Sequence, residues 1–413
     1  MREWFLRLAL MVLGSIIGMI ALEFGLSKFA PHPKTWPIGF HVRNKYIGWK
    51  GIPGKEGRWV KGRIVSYVKM NSHGFRDKER NYKKEQDVFR IVVLGDSCIE
   101  GLQVPLEQTF PYILEKRLNS ESRNSFEVIN LGVSGFGTAQ EYLTLRHYGL
   151  KYNPDLVILA FYINNDLKDN SKILGGVSRD KKYINRPYFV LENGKLKEIP
   201  FKIKGANPAE DERQHKIGVI EQLQISRDLL AKLFPNTYYS LSDRINETPW
   251  LTNLFWKIGI KKSRLNPVLS DESKDKGFNN VYAEEYPPEW RNAWEVTKAL
   301  ILKISEELEM KGIGFLVVII PKYESQTDRF ELLANLDKYS RQRTVKFDLE
   351  KPERILSDFL EESKIDYLLL RPEFEKYIRE TGKDLRFRYS YEDHWNANAH
   401  DLAAQLIYEE IKR

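Results

Sequence analysis

Four residues could cleave an ester if a fold gathered them: Ser97, Gly135, Asn165 and His394. That chemistry needs a nucleophile, a base to take its proton, a group to orient the base, and donors for the oxyanion. The Ser97 hydroxyl can attack, and histidine is the side chain that titrates near neutral pH. The N–H groups of Ser97 and Gly135, with the Asn165 amide, could hold the oxyanion. One such donor stabilises a transition state by about 3–4 kcal/mol. Each residue also has a plainer use. Ser97 can cap a helix, Gly135 can supply a positive φ, Asn165 can close a turn, and His394 can be an ordinary hydrogen-bonded histidine. His400, which opens the last helical stretch, has the better claim to a structural role.

The elements around these residues argue for the chemical reading. Phe89–Leu94 is a short apolar run that reads as a buried strand. It stops at Gly95-Asp96-Ser97, and a helical pattern follows with Phe110, Ile113, Leu114 and Leu118 on one face. Phe126–Leu131 reads as a second strand, ending in the loop that carries Gly135, with a helix following to about Tyr148. Asp155–Tyr162 is a third strand and ends at Asn164-Asn165-Asp166. A long helix near Trp290–Lys311, a strand ending at Ile320, a helix near Pro352–Ser363 and a strand over Ile365–Leu370 complete the alternation. His394 precedes a C-terminal helix that turns Leu402, Leu406, Ile407 and Ile411 inward. Such alternation predicts an α/β, doubly wound sheet with right-handed crossovers. Ligands bind such sheets at the carboxyl ends of the strands, which is where all four residues fall.

Between about 167 and 285 the alternation pauses, over a stretch too long for a simple connection. A lid or cap over the strand ends is expected there, with a helix near Val219–Phe234. Its aromatic residues, Tyr183, Tyr188, Phe189, Tyr238, Tyr239, Trp250 and Trp256, either stack on a sugar or form a small core of the insert. Ahead of the first strand, residues 38–88 read as a small β-rich preface, including Ile64–Val68 and a turn at Asn71–Asp77.

Composition narrows the classes. With 42% hydrophobic and 30% charged residues in 413, the chain can bury a large core. Its net charge of +8 is spread among acidic residues, with no basic stripe or motif for nucleic acid. Cys98, the single cysteine, forbids an internal disulfide or a thiolate metal cluster. It reads as a packing residue, with a thiol nucleophile as the sharper alternative. His394 and His400 lack metal-type spacing, so neither a metal nor a cofactor is expected.

The amino end has Arg2 and Arg7 before an uncharged run from Leu8 to Leu22, closed by Glu23. Fifteen residues of helix reach about 22 Å, short of a hydrocarbon layer of about 30 Å. Snorkelling of Arg7 and Glu23 lets Trp4, Phe5, Phe24 and Leu26 extend it. Residues 1–30 are therefore expected to be an uncleaved membrane anchor, with a signal peptide as the alternative; both export residues 31–413.

The order Gly95-Asp96-Ser97, Val133-Ser134-Gly135, Asn165-Asp166 and His394 before the last helix resembles the SGNH (GDSL-like) hydrolases. The match covers roughly 71–166 and 290–413, and the stretches Asn71–Asp77 and Tyr286–Trp290 resemble bacterial membrane-anchored members. The resemblance implies a flavodoxin-like three-layer α/β/α sandwich with a parallel central sheet over 89–413. It also implies Ser97 as nucleophile, His394 as base, and Ser97, Gly135 and Asn165 as the oxyanion hole. The family usually has an aspartate three, sometimes two, residues before the histidine. Here Tyr391, Glu392 and Asp393 fill the three preceding positions, so Asp393 or Glu392 is expected to orient His394, with a backbone carbonyl as the remaining alternative.

These readings lead to an exported, membrane-tethered serine esterase acting on O-acyl groups of envelope polysaccharide, a lipid or a small ester. Acyl transfer by the same serine shares the chemistry up to the acyl-enzyme, and a non-catalytic scaffold would keep only the fold. Nothing in the sequence sets an oligomeric state.

Overall fold

The structure, a computed structural model, describes residues 2–29, 40–61, 64–121, 125–163, 165–175, 186–199, 201, 279–322, 346–387 and 394–413. The first helix, α1 (Arg2–Phe29), leaves apolar side chains exposed around its circumference, with Ile17 at 58% and Phe24 at 62%. Among the described residues no helix is long and apolar enough to cross a membrane.

The preface is two hairpins, β1 (His41–Asn44) with β2 (Gly48–Gly51) and β3 (Glu56–Lys61) with β4 (Ile64–Lys69). The expected turn follows, built by Asn71, whose side chain accepts from the N–H groups of His73 and Phe75. Buried arginines pin this region to the main domain. Arg80 donates to Asp77, Glu115 and the Val128 carbonyl, and Arg90 to Glu127 and the Tyr82 and Tyr152 carbonyls.

Strand β5 (Val88–Leu94) runs into the one-turn helix α2 (Ser97–Glu100), and α3 (Phe110–Glu121) follows. Next come β6 (Ser125–Asn130), α4 (Thr138–His147) and β7 (Leu156–Tyr162). Two single turns, α5 (Asp166–Asp169) and α6 (Lys172–Gly175), precede a hairpin of β8 (Tyr188–Glu192) and β9 (Lys195–Ile199). The chain then builds α7 (Pro288–Glu309), β10 (Gly314–Ile320), α8 (Lys351–Glu362), β11 (Asp366–Leu369), α9 (Arg371–Thr381) and α10 (Ala397–Ile411).

The central sheet has the parallel order β11-β10-β7-β5-β6. That is the flavodoxin-like order, whose switch point lies between β5 and β7. Alternate residues of β5 face opposite layers. Val92 and Leu94 pack with α4, α7 and α8, whereas Ile91 and Val93 pack with α3, α9 and α10. The three-layer α/β/α expectation is met.

Three details differ from the sequence reading. Helix α9 has no counterpart in the expected pattern, although Pro372 near its start and Gly382 in the left-handed region at its end mark it. The inward face of α10 is Ala399, His400, Ala403, Ala404, Ile407 and Tyr408, with Leu402, Leu406 and Ile411 on its margin. Small alanines let α10 approach α3 closely. Of the insert's aromatics, Tyr188 and Phe189 are buried, and Phe189 packs on Tyr142 in the main core. The helix expected at Val219–Phe234 and the other five aromatics lie outside the described residues.

Candidate active site

Ser97 and His394 are 297 positions apart and meet. His394 Nε2 lies 2.8 Å from Ser97 Oγ, within hydrogen-bond distance. Ser97 arrives on the switch-point loop after β5. Its plainer reading as a helix cap is overturned, because Asp96 is the cap: its side chain accepts from the Cys98 N–H at 2.8 Å. With that role taken, the Ser97 hydroxyl is left to face His394. As first residue of α2, Ser97 also has an N–H that precedes the intrahelical ladder. Cys98 is buried among Ile91, Val93 and Ile99, as a packing residue would be.

His394 sits on a short bridge. Its carbonyl accepts from the Phe387 N–H at 3.1 Å, and neighbouring Trp395 pairs with Arg386. Asn396 then caps α10 by accepting from the N–H groups of Asn398 and Ala399. Glu392 and Asp393, the expected orienting carboxylates, lie outside the described residues.

Gly135 has φ +79°, a region that only glycine enters freely. The residue before it is held at three points: the Ser134 N–H and hydroxyl both donate to Glu100, and its carbonyl accepts from the Trp49 indole at 3.0 Å.

Asn165 follows β7. Its Nδ2 donates to Asp96 Oδ2 at 3.0 Å, which ties the third loop to the first. An amide nitrogen carries two hydrogens, so this bond leaves one to point elsewhere. Burial pushes the Asp96 carboxyl above the ordinary aspartate range, against the pull of the Cys98 and Asn165 hydrogen bonds and the His394 charge. The structural role expected of His400 holds. It is buried, its Nδ1 accepts from the Phe110 N–H at 3.3 Å, and burial with Arg76 and His394 nearby lowers its pKa to about 3.

Sequence reasoning missed Asp96, Glu100, His41 and Trp49. Asp96 had a local signal, since aspartate before a helix is a preferred cap. The others act across the fold: Glu100 meets His41, 59 positions away, at 2.6 Å. Among the described residues no cluster of three or more His, Cys, Asp or Glu could hold a metal.

Fold and site together give a flavodoxin-like α/β/α protein in which serine, glycine, asparagine and histidine follow in an order that resembles that of the SGNH (GDSL-like) hydrolases. No family model matches the chain. An arylesterase of Vibrio mimicus is 33% identical over 79 residues, 19% of this chain and 39% of that protein. The chain thus spans about two fifths of the length of the curated relative it matches. Similar solved structures include an acetyl xylan esterase, AlAXEase (12% identity, TM-score 0.35, 78% of this chain and 100% of the other). TesA has 11% identity and a TM-score of 0.35, covering 78% and 98%. A catalytic mutant of Axe2, an acetylxylan esterase from Geobacillus stearothermophilus, has 12% identity and a TM-score of 0.36, covering 78% and 94%.

Proposed function

We propose that this protein is a membrane-attached serine esterase that hydrolyses carboxylic O-acyl esters. The observation that carries the reading is the 2.8 Å approach of His394 Nε2 to Ser97 Oγ at the switch point of the sheet. As Ser97 Oγ bonds to the ester carbonyl carbon, His394 Nε2 takes its proton. The carbonyl oxygen becomes an oxyanion, held by the N–H groups of Ser97 and Gly135 and the second amide hydrogen of Asn165. Collapse breaks the bond to the alcohol, which leaves with the proton from His394. Water then attacks the acyl-Ser97 carbonyl as His394 takes its proton; collapse breaks the bond to Ser97 Oγ, which regains the proton from His394 as the acid departs. Asp393 or Glu392 would orient His394. Envelope polysaccharide, lipid or small esters are the candidate substrate classes.

The test is hydrolysis of p-nitrophenyl acetate by the full chain in detergent micelles, beside Ser97→Ala and His394→Ala. We expect both variants to fall at least 10³-fold, to background, since the triad's members act as a unit. A wild type no faster than Ser97→Ala, and not labelled by a fluorophosphonate, would sink the reading.

Membrane attachment and export are proposed on α1. Along its middle it exposes apolar side chains all round, with Leu10, Met11, Val12 and Leu13 at successive angles, as suits a hydrocarbon surround. Basic Arg2 and Arg7 at its amino end favour a cytoplasmic start. Flotation with phospholipid vesicles checks this: the full chain should rise with the lipid, and Leu13→Asp with Ile17→Asp should stay behind. Equal flotation of both would remove α1 from the account.

A further inference from the structure

Glu100 ends α2, three residues after Ser97, and is 1% exposed. A buried carboxylate without partners would be costly, and this one is answered at both oxygens. Oε1 meets His41 Nε2 of β1 at 2.6 Å. Oε2 accepts from the Ser134 N–H at 2.9 Å and from the Ser134 hydroxyl. Burial works to raise the Glu100 pKa, but the His41 charge and these hydrogen bonds outweigh it and hold it below the ordinary range.

The third polar group of Ser134, its carbonyl, accepts from Trp49 Nε1 of β2 at 3.0 Å. All three polar groups of Ser134 are therefore fixed, two by the element that carries Ser97 and one by the preface. The next residue is Gly135, whose N–H lies in the plane of the peptide before it, on the opposite side from that peptide's oxygen. That peptide joins Ser134 to Gly135, and its oxygen is the atom Trp49 holds. Arg76 braces the base of the clamp, donating to the carbonyls of Glu100, Gly101 and Val104.

Building on the esterase reading, we propose that Glu100 is a positioning residue that sets the Gly135 N–H as an oxyanion donor, with His41 and Trp49 of the preface as its supports. The preface is thereby part of the active site. A donor displaced by even an ångström weakens the transition state while leaving ground-state binding largely alone. The signature is a fall in kcat with little change in KM.

The experiment measures kcat and KM for p-nitrophenyl acetate with the full chain in detergent. The variants are Glu100→Ala, Glu100→Gln, Ser134→Ala and Trp49→Phe, each with a thermal melt. Glu100→Ala should lose about 10²-fold in kcat, on the scale of one oxyanion donor. Glu100→Gln keeps an acceptor for the Ser134 N–H and should recover most of that loss. Ser134→Ala and Trp49→Phe, each removing one bond, should fall about 3–10-fold in kcat at unchanged KM. Folded variants with wild-type kcat, or losses confined to KM or melting temperature, would overturn the assignment. If Glu100→Ala does not fold, Ser134→Ala and Trp49→Phe decide alone. The two failures separate cleanly. A wild type no faster than Ser97→Ala removes the esterase and the clamp with it, whereas Ser97-dependent activity indifferent to all four variants removes the clamp only.

Discussion

Two fully buried glutamates flank the Ser97 loop, and the fold treats them oppositely. Glu100 is bonded at both oxygens by His41 and Ser134. Glu141, in the first turn of α4, has no hydrogen-bond partner for either oxygen among the described residues. Its acidic neighbour Asp166 has one oxygen bonded to the Tyr162 N–H and the other without a partner. The difference teaches what each region is for. Around Glu100 the ionised carboxylate is the form that the surroundings stabilise, and its bonds fix a loop. Around Glu141 burial and the nearby Asp96 charge push the pKa well above the ordinary range, so the surroundings favour the protonated acid. One region converts ionisation into position, and the other suppresses it.

The most damaging way to break the ordered region is to force its two halves apart. Gly132 ends the β6 segment against α2. A Cβ there would lie 2.5 Å from Ile99 Cβ and 2.7 Å from the Glu100 nitrogen. Neither is the far end of a flexible chain, so the backbone must move. Gly132→Ala should destabilise the protein by about 1–3 kcal/mol, the range of a strained core insertion. It should also cut kcat by more than 10-fold, because α2 carries both Ser97 and Glu100. Urea unfolding and p-nitrophenyl acetate kinetics check both. A variant with wild-type stability and kcat would show that α2 has slack, and the contrast between the two glutamates would then lose its structural basis.

How much of this could be read from the chain follows from range. The strands of the sheet announce themselves as apolar runs, and turn residues end them, so the edge that gathers Ser97, Gly135, Asn165 and His394 was legible. The clamp was not. Nothing local to His41 or Trp49 points to residues 59 and 85 positions away, because hairpins that dock by side-chain hydrogen bonds leave no periodic signal. Helix α4 is a second case. Thr138, Gln140, Glu141 and Thr144 are all buried beside its apolar residues, so there is no amphipathic stripe to separate inside from outside. The capping alternative at Ser97 stayed open for a simpler reason: aspartate and serine are both good caps, and only geometry shows that Asp96 takes the bond.

The protonated region makes a subtler prediction, and its sign can be worked out. Both Glu141 and Asp166 have pKa values raised well above ordinary by burial, with the Asp96 charge adding to Glu141 and the Glu141 and Asp96 charges adding to Asp166. A carboxyl whose folded pKa exceeds its unfolded value is favoured by folding in its protonated form. Its contribution is fully present below the unfolded pKa and is lost as pH climbs through the raised folded value. The contribution of these two groups should therefore decline from about pH 5 upward, by about 1.4 kcal/mol per unit for each one still protonated in the native state. Glu141→Gln keeps the shape, deletes one titration and relieves Asp166 of a like charge. The melting temperature of the variant relative to wild type should be lowest near pH 4 and rise steadily toward pH 8. The slope is the readout, since any fixed cost of burying an amide shifts the variant equally at every pH. A difference that stays constant from pH 5 to 8 would mean that Glu141 is ionised in the folded state, and the two glutamates would be alike after all.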